Sequence, residues 1–294
     1  MRGVSDTAYE RLELARHYVE MERPQRALDA LRDVGEDALE DSDYWQIRAE
    51  ALLDLERWDE AAEAAKAGLA LDPDDVVLLD ALAIARVEAG WIVEARETID
   101  AALEIAPDLP PLLAHKALIE ARGHDFDAAE RTIARALAVA PESADVRRVR
   151  AQVASLRGDK HAARQYADDL LEVEPDSDVS HLLRGNVDVQ AGKFRTAVRH
   201  FEEAARLNPD HPEIREVLRE NKVAAHPILA PVRPIWRFGR LRAWLVYFTL
   251  AGLLAGTGFH KARVVVAVVW VVIVAISWLA PPILRRWYGR KHGL

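Results

Sequence analysis

VVLLDALAIARVEAGWIVEARETIDAALEIAPDL, residues 76–109, holds one complete structural unit of this chain. Val76 to Ala89 consists of good helix formers, with Val76, Leu79, Leu82 and Ala83 falling on one helical face. Gly90 is placed to stop that helix, because a helix commonly ends on a residue in the left-handed region that glycine enters without a Cβ clash. A second helix is predicted over about Val93 to Ile105, with Ala95, Ile99, Ala102 and Leu103 on its apolar stripe. Pro107 ends it, and Asp108 is suited to capping the next helix. The small residues Ala83, Ala95 and Ala102 let two helix axes approach closely, so the unit reads as an antiparallel helical hairpin.

The unit recurs. Alanine returns every 34 residues at Ala27, Ala61, Ala95, Ala129, Ala163 and Ala197, and proline at Pro73, Pro107, Pro141, Pro175 and Pro209. A third series of small residues runs through Ala15, Ala49, Ala83, Ala117, Ala151 and Gly185, and the glycine stop recurs at Gly158 and Gly192. A fixed period of this length marks a solenoid of stacked hairpins, in which each unit buries its apolar face on its neighbours.

The period and its signature residues resemble the tetratricopeptide repeat, whose pattern is Trp-x2-Leu-Gly-x2-Tyr, then Ala-x3-Phe, then Pro. Trp45 with Ala49 matches part of the first half, Arg184-Gly185 another part, and Ala197-x3-Phe201 with Pro209 the second half. Arg48, Lys116, Arg150 and Arg184 replace the pattern's leucine, and Arg86, Glu120 and Asp188 its aromatic residue. The resemblance covers residues 8–211 as about six repeats, and Pro212 to about Ala225 is expected to close the array as a capping helix. The fold class is therefore all-α, a helical-hairpin solenoid over residues 1–226.

Composition changes after His226. From Pro227 to Leu294 there is no Asp or Glu but ten Lys and Arg, leaving residues 1–226 with 29 basic against 48 acidic side chains, a formal −19. Residues 227–242 read as a Pro/Arg-rich juxtamembrane linker, 243–284 as a transmembrane hairpin and 285–294 as a basic tail. Ala243 to Phe259 and Val264 to Leu284 carry no charge. At 1.5 Å per residue they reach about 26 and about 31 Å, near the roughly 30 Å of a bilayer's hydrocarbon core. Arg233, Arg237, Arg240 and Arg242 precede the first run, Arg285, Arg286, Arg290 and Lys291 follow the second, and only Lys261 and Arg263 occupy the tip. That bias puts both flanks, and with them the repeats and the C-terminus, in the cytoplasm at the plasma membrane. Trp236, Trp244, Trp287 and Tyr288 would sit at that interface. The first ten residues contain no apolar signal segment, and the absence of cysteine excludes disulfides and thiolate metal sites.

No catalytic constellation is legible. The chain has no phosphate-binding glycine loop, no His-Glu-x-x-His and no Gly-x-Ser-x-Gly. Gly252 and Gly256 lie inside an apolar run and suit a close helix contact in lipid. Asp72-Pro73-Asp74-Asp75 and Glu174-Pro175-Asp176-Ser177-Asp178 lack the spacing of a calcium loop and read as helix caps. No enzyme activity, cofactor or metal is expected. The acidic array disfavours nucleic acid, which needs a basic stripe.

The resemblance implies a concave groove lined by the first helices and a peptide or partner helix bound in it. Its predicted lining includes Tyr9, Leu12, Arg16, Ile47, Glu50, Leu53, Ile84, Val87, Leu118, Arg148, Gln152, Leu182 and Asn186, with Val77, Asp80 and His115 in phase. The aliphatic members either face the groove or pack between neighbouring first helices. A family variant clamps carboxylates with lysine, asparagine and arginine; Leu12, Arg16, Ile47, Val77 and Ala81 at the corresponding positions do not make that clamp. Two functions compete. One is a non-enzymatic, membrane-anchored, cytosol-facing scaffold that binds a protein partner in its groove and lipid through its tail. The alternative is a docking subunit of a membrane transport or secretion complex, its hairpin assembling with other membrane subunits. Neither apolar run holds an ionisable side chain of the kind that lines an ion path.

Overall fold

The computed structural model describes residues 6–21, 23–209 and 211–232, together with 264, 268–272, 275–276, 279–280 and 282–284. The described chain divides into two compact units, Met1–Val173 and Glu174–Leu294. In the first, five helical hairpins follow one another: α1 (Asp6–Glu20) with α2 (Pro24–Arg32), α3 (Ser42–Asp54) with α4 (Trp58–Leu69), α5 (Val76–Glu88) with α6 (Ile92–Ile105), α7 (Pro110–Arg122) with α8 (Phe126–Val139), and α9 (Ala144–Arg157) with α10 (Lys160–Val173). The second holds α11 (Asp178–Gln190), α12 (Phe194–Leu207) and α13 (Pro212–Ala225), followed by a 3-10 turn over Pro227–Val232. The limits of α5, α6 and α13 fall within one residue of those predicted from the sequence.

The local chemistry repeats with the period. First helices begin after Asp41, Asp75, Leu109, Ser143, Ser177 and His211, which are 34 residues apart. Asp75 accepts hydrogen bonds from the Val77 and Leu78 amides at 3.0 and 3.1 Å, and Ser177 from the Ser180 amide at 3.2 Å. Where Leu109 and His211 cannot cap, a proline follows at the first helical position, Pro110 and Pro212, removing one amide that would otherwise lack a partner. Asp108 does not cap α7; its carboxylate sits one residue too early and pairs with Arg135 at 3.0 Å. The first helices end in a left-handed residue at Glu56, Gly90, His124, Gly158 and Gly192, again in period.

All six small residues of the Ala15–Gly185 series and all six of the Ala27–Ala197 series are buried. Their positions decide how near the two helices of a repeat lie. At Gly185 a Cβ would run into the ring of Phe201, sixteen residues on. The equivalent pairs are Ala83 with Ile99, Ala117 with Ile133 and Ala151 with Ala167, so the one glycine of the series faces its one aromatic.

The polar departures from the repeat pattern find partners within the array, though Arg86 Nε and Arg150 Nε are buried without a hydrogen bond. Arg86 reaches Thr98 Oγ1 and the Glu94 carbonyl, and Glu120 accepts from Thr132 Oγ1 at 2.8 Å. Burial raises the Glu120 carboxyl pKa, and the Thr132 bond partly offsets that. Lys116 pairs with Asp100 at 2.7 Å, Arg150 lies 3.9 Å over the Tyr166 ring, and Arg184 pairs with Asp188 at 2.7 Å in the interior of the second unit. Apart from Arg184–Asp188, which lies within α11, these are directed contacts between helices where the repeat pattern has apolar ones.

Among the described residues no helix is long and apolar enough to cross a membrane. Most of the hairpin expected over residues 243–284 lies outside them. Its described end carries Ile276, Ala280 and Leu284, spaced four apart as one helical face and packed with Val223 of α13 and Leu229 of the turn that follows.

Two measurements check these assignments. Gly185→Ala should destabilise the second unit by about 1–3 kcal/mol through overpacking, and Phe201→Leu in the same chain should recover part of the loss in the thermal midpoint. Glu56→Gly and His124→Gly should each stabilise the first unit by about 1 kcal/mol in urea unfolding, because only glycine occupies the left-handed region without Cβ strain.

Candidate partner-binding face

Within the first unit α1 touches α3, α3 touches α5, α5 touches α7 and α7 touches α9, while the second helices make no comparable contact with one another. The first helices thus form a continuous inner layer and the second helices an outer one. One stripe of each first helix points away from its partners and is left to solvent or to a ligand.

The predicted groove residues divide three ways. Tyr9, Glu50 and Asn186 are exposed, and Arg16, Leu53, Ile84, Leu118, Arg148, Gln152 and Leu182 half-buried. Leu12, Ile47 and Val87 are buried in the hydrophobic core and present nothing to a partner. They are a correction: α1 is covered by α2 and α3, and each later first helix by its own second helix, the second helix before it and its neighbouring first helices, so the open stripe is narrower than half the circumference. Arg148 and Asn186 belong to different units. Val77, in phase with Tyr9, is 53 % exposed, and Tyr9 itself 60 %.

Polar bonds between successive first helices cross this layer. Arg16 donates to Asp43 at 2.9 Å, Gln46 to Asp75 at 2.6 Å, and Arg122 to Glu88 at 2.8 Å. His115 Nδ1 lies 2.8 Å from Asp80 Oδ1 and 3.0 Å from Oδ2. These pairs tie one repeat to the next and went unnoticed in the sequence. Asp80, His115 and Arg122 could have been found there, since opposite charges about one period apart on first helices are neighbours, whereas Arg16 and Asp43 are 27 residues apart.

The stripe is acidic where it starts. On α1, α3 and α5 it carries Glu13, Glu20, Asp43, Glu50, Asp54, Asp80 and Glu88, with Arg16 the one basic side chain in the same positions. Glu50 is the least compensated. Burial raises its carboxyl pKa, Asp54 and Glu20 raise it further, and Arg16 opposes them. Exposed Trp91 and Val93 stand off this face, at the start of α6, and Trp91 with Trp58 flanks a cleft between α4 and α5. Trp91 takes the position that Asp125 uses to cap α8, and caps nothing itself. No group of three or more His, Asp or Glu among the described residues is arranged to hold a metal ion.

The tetratricopeptide repeat family model matches residues 12–76, 116–178 and 182–218, more than half of the chain. No curated protein matches it. Among solved structures, PilW, a widely conserved type IV pilus biogenesis factor, is 20 % identical with a TM-score of 0.54, covering 73 % of this chain and 99 % of its own. The Cut9–Hcn1 hetero-tetramer of APC/C gives 15 %, 0.56, 73 % and 43 % by the same measures. The human IFIT1 dimer with m7Gppp-AAAA gives 18 %, 0.52, 72 % and 55 %. At such identities the likeness is one of fold.

Burial lowers the His115 pKa, but the Asp80 hydrogen bond and charge outweigh it, so the net shift is upward. A histidine pKa raised on folding stabilises fully below the unfolded value of about 6.5 and loses that contribution as pH rises through the folded value. The urea midpoint of the first unit should therefore fall as pH rises from about 6 to above the folded pKa, and His115→Gln should flatten that slope.

Proposed function

The chain belongs to the tetratricopeptide repeat family, and we propose that it is a non-catalytic scaffold that holds a protein partner on its first-helix face while its C-terminal segment tethers it to the cytoplasmic side of the plasma membrane. The observation that carries the first half is the continuous inner layer of α1, α3, α5, α7 and α9, with Tyr9 and Val77 standing exposed on it. Large side chains held in solvent by a rigid helical layer favour docking of a peptide or helix by anchors. Leu53, Ile84, Leu118 and Gln152 belong to the same proposed lining, and Leu182 and Asn186 to the equivalent first-helix face of the second unit taken by itself.

The tether rests on residues 243–284 and on their flanks. Two uncharged runs separated by four residues suit a helical hairpin, and the arginines on both outer flanks suit the cytoplasmic surface. The packing of Ile276, Ala280 and Leu284 on Val223 and Leu229 supports it. On this reading the apolar turn Pro227–Val232 lies at the membrane surface. An association of the hairpin with other membrane subunits, through Gly252 and Gly256, would make the array the docking arm of a larger complex. Blue-native electrophoresis separates the two, since a docking arm migrates in a discrete large complex that deletion of residues 243–284 abolishes.

The sequence contains no cysteine, so single cysteines report topology on a clean background. Cysteines at Ser5 and Gly293 should react with an impermeant reagent only after the cell membrane is opened, and one at Ala262 in intact cells. Labelling of Ser5 in intact cells would overturn the cytoplasmic placement, and labelling of Gly293 alone would replace the hairpin by a single pass.

A further inference from the structure

We propose that His181 of α11 and His200 of α12 chelate a divalent late transition-metal ion of the zinc class through their two Nδ1 atoms. Both residues belong to the second unit, on the two helices of one hairpin. Their Nδ1 atoms are 3.2 Å apart, with ring centroids at 5.5 Å and planes inclined by 32°. The rings therefore meet nitrogen to nitrogen. The tautomer of His181 is set by the backbone. Its Nε2 lies 3.1 Å from the Pro175 carbonyl, which can only accept, so in the neutral ring Nε2 carries the hydrogen and Nδ1 the lone pair. A carbonyl that takes the remote N–H is the arrangement that orients a metal-ligating histidine. The proton between the rings then comes from His200, and it is the one that an ion would displace.

The separation suits an ion. Two nitrogens bound at about 2.0–2.1 Å to a tetrahedral ion stand about 3.3–3.4 Å apart. The rings would tilt until their lone pairs converge, while the helices stay where they are. Imidazole pairs favour zinc, copper or nickel over the hard cations that carboxylates hold. Both side chains are half-buried, so water reaches the pair and fills the positions that two protein ligands leave. Glu203 follows His200 by three residues on α12 and adds negative charge. Its carboxyl pKa is lowered first by Arg206 and then by His181, which places it within electrostatic reach of the pair.

The repeat itself does not require two imidazoles here. Equivalent positions hold Leu79 with Thr98, Leu113 with Thr132 and Arg147 with Tyr166. An ion between His181 and His200 would tie α11 to α12 across 19 residues of chain and so stabilise the folded hairpin.

The test uses the full-length protein in a non-ionic detergent, stripped of metal by a chelator, with Zn2+ alone as the probe. Competition against a chromophoric chelator should reveal a site that either His181→Gln or His200→Gln weakens by about tenfold or more, because each removes one arm of a chelate. His124→Gln with His161→Gln, exposed in the first unit, should leave it unchanged. Zn2+ should raise the thermal midpoint of the wild type and of neither glutamine variant. A measurement without substitution guards against a variant that misfolds: in the wild type, Zn2+ should protect His181 and His200 together from diethyl pyrocarbonate. Equal Zn2+ affinity in the wild type and both variants, or protection of other histidines alone, would place the ion elsewhere and overturn the inference. Weakening by only one of the two variants would make that ring a lone surface ligand and overturn the chelate. No competition and no midpoint shift in the wild type would leave the pair a hydrogen bond and nothing more.

Discussion

The distance between the two helices of each hairpin is the constraint on which the structure depends. It is short enough that the first helix can carry only alanine or glycine where it faces the second, from Ala15 through Gly185. Burying such small side chains yields little hydrophobic free energy in itself, since that scales with apolar area. What it provides is proximity, which lets Leu78, Ile99, Leu112, Leu113 and Ile133 close completely around the contact. Once the hairpin is fixed, stacking at a period of 34 follows, because each hairpin leaves one apolar flank that only another hairpin covers.

That geometry also separates stability from function. The interior is occupied by contacts that repeat, whereas the open stripe of the first helices does not repeat in chemistry. Tyr9, Asp43, Val77, Pro111 and Asp145 hold equivalent positions and range from an aromatic through an aliphatic and a proline to two acids. Polar groups on this stripe do two jobs. Arg16–Asp43 and His115–Asp80 lock adjacent repeats, while the carboxylates around Glu50 hold a charge that burial and neighbours make costly. Charge retained against the interest of the fold is a common mark of a surface built to meet something else.

Hairpin limits, the buried alanines and the closing helix were legible in the sequence because each is a local rule applied at fixed intervals. Val76, Gly90, Pro107 and Pro212 each announce a start or a stop through their own backbone preferences. Asp108 was misread because its neighbour Pro110 starts α7 without a cap, and composition alone cannot choose between two adequate ways to begin a helix. Leu12, Ile47 and Val87 were misread for a different reason. Periodicity gives the phase of a helix but not the angular width of the stripe that its neighbours leave open, which is set by three-body packing. The bonds Arg122–Glu88 and Gln46–Asp75 depend on rotamers as well as phase, so sequence could suggest them without establishing them. Residues 243–284 are recognisable by hydropathy alone, a signal of solvent preference rather than of packing partners.

The central claim is that the first-helix face, and not the outer layer, meets the partner. Site-specific photo-cross-linking in living cells addresses it most directly, with a photoreactive residue placed in turn at Glu50, Val77 and Gln152 on the inner layer and at Glu63, Glu97 and Arg131 on the second helices. The account predicts a discrete, reproducible adduct from the inner positions and none from the outer ones. Adducts confined to the outer positions, or none from any inner position in folded protein, would contradict it.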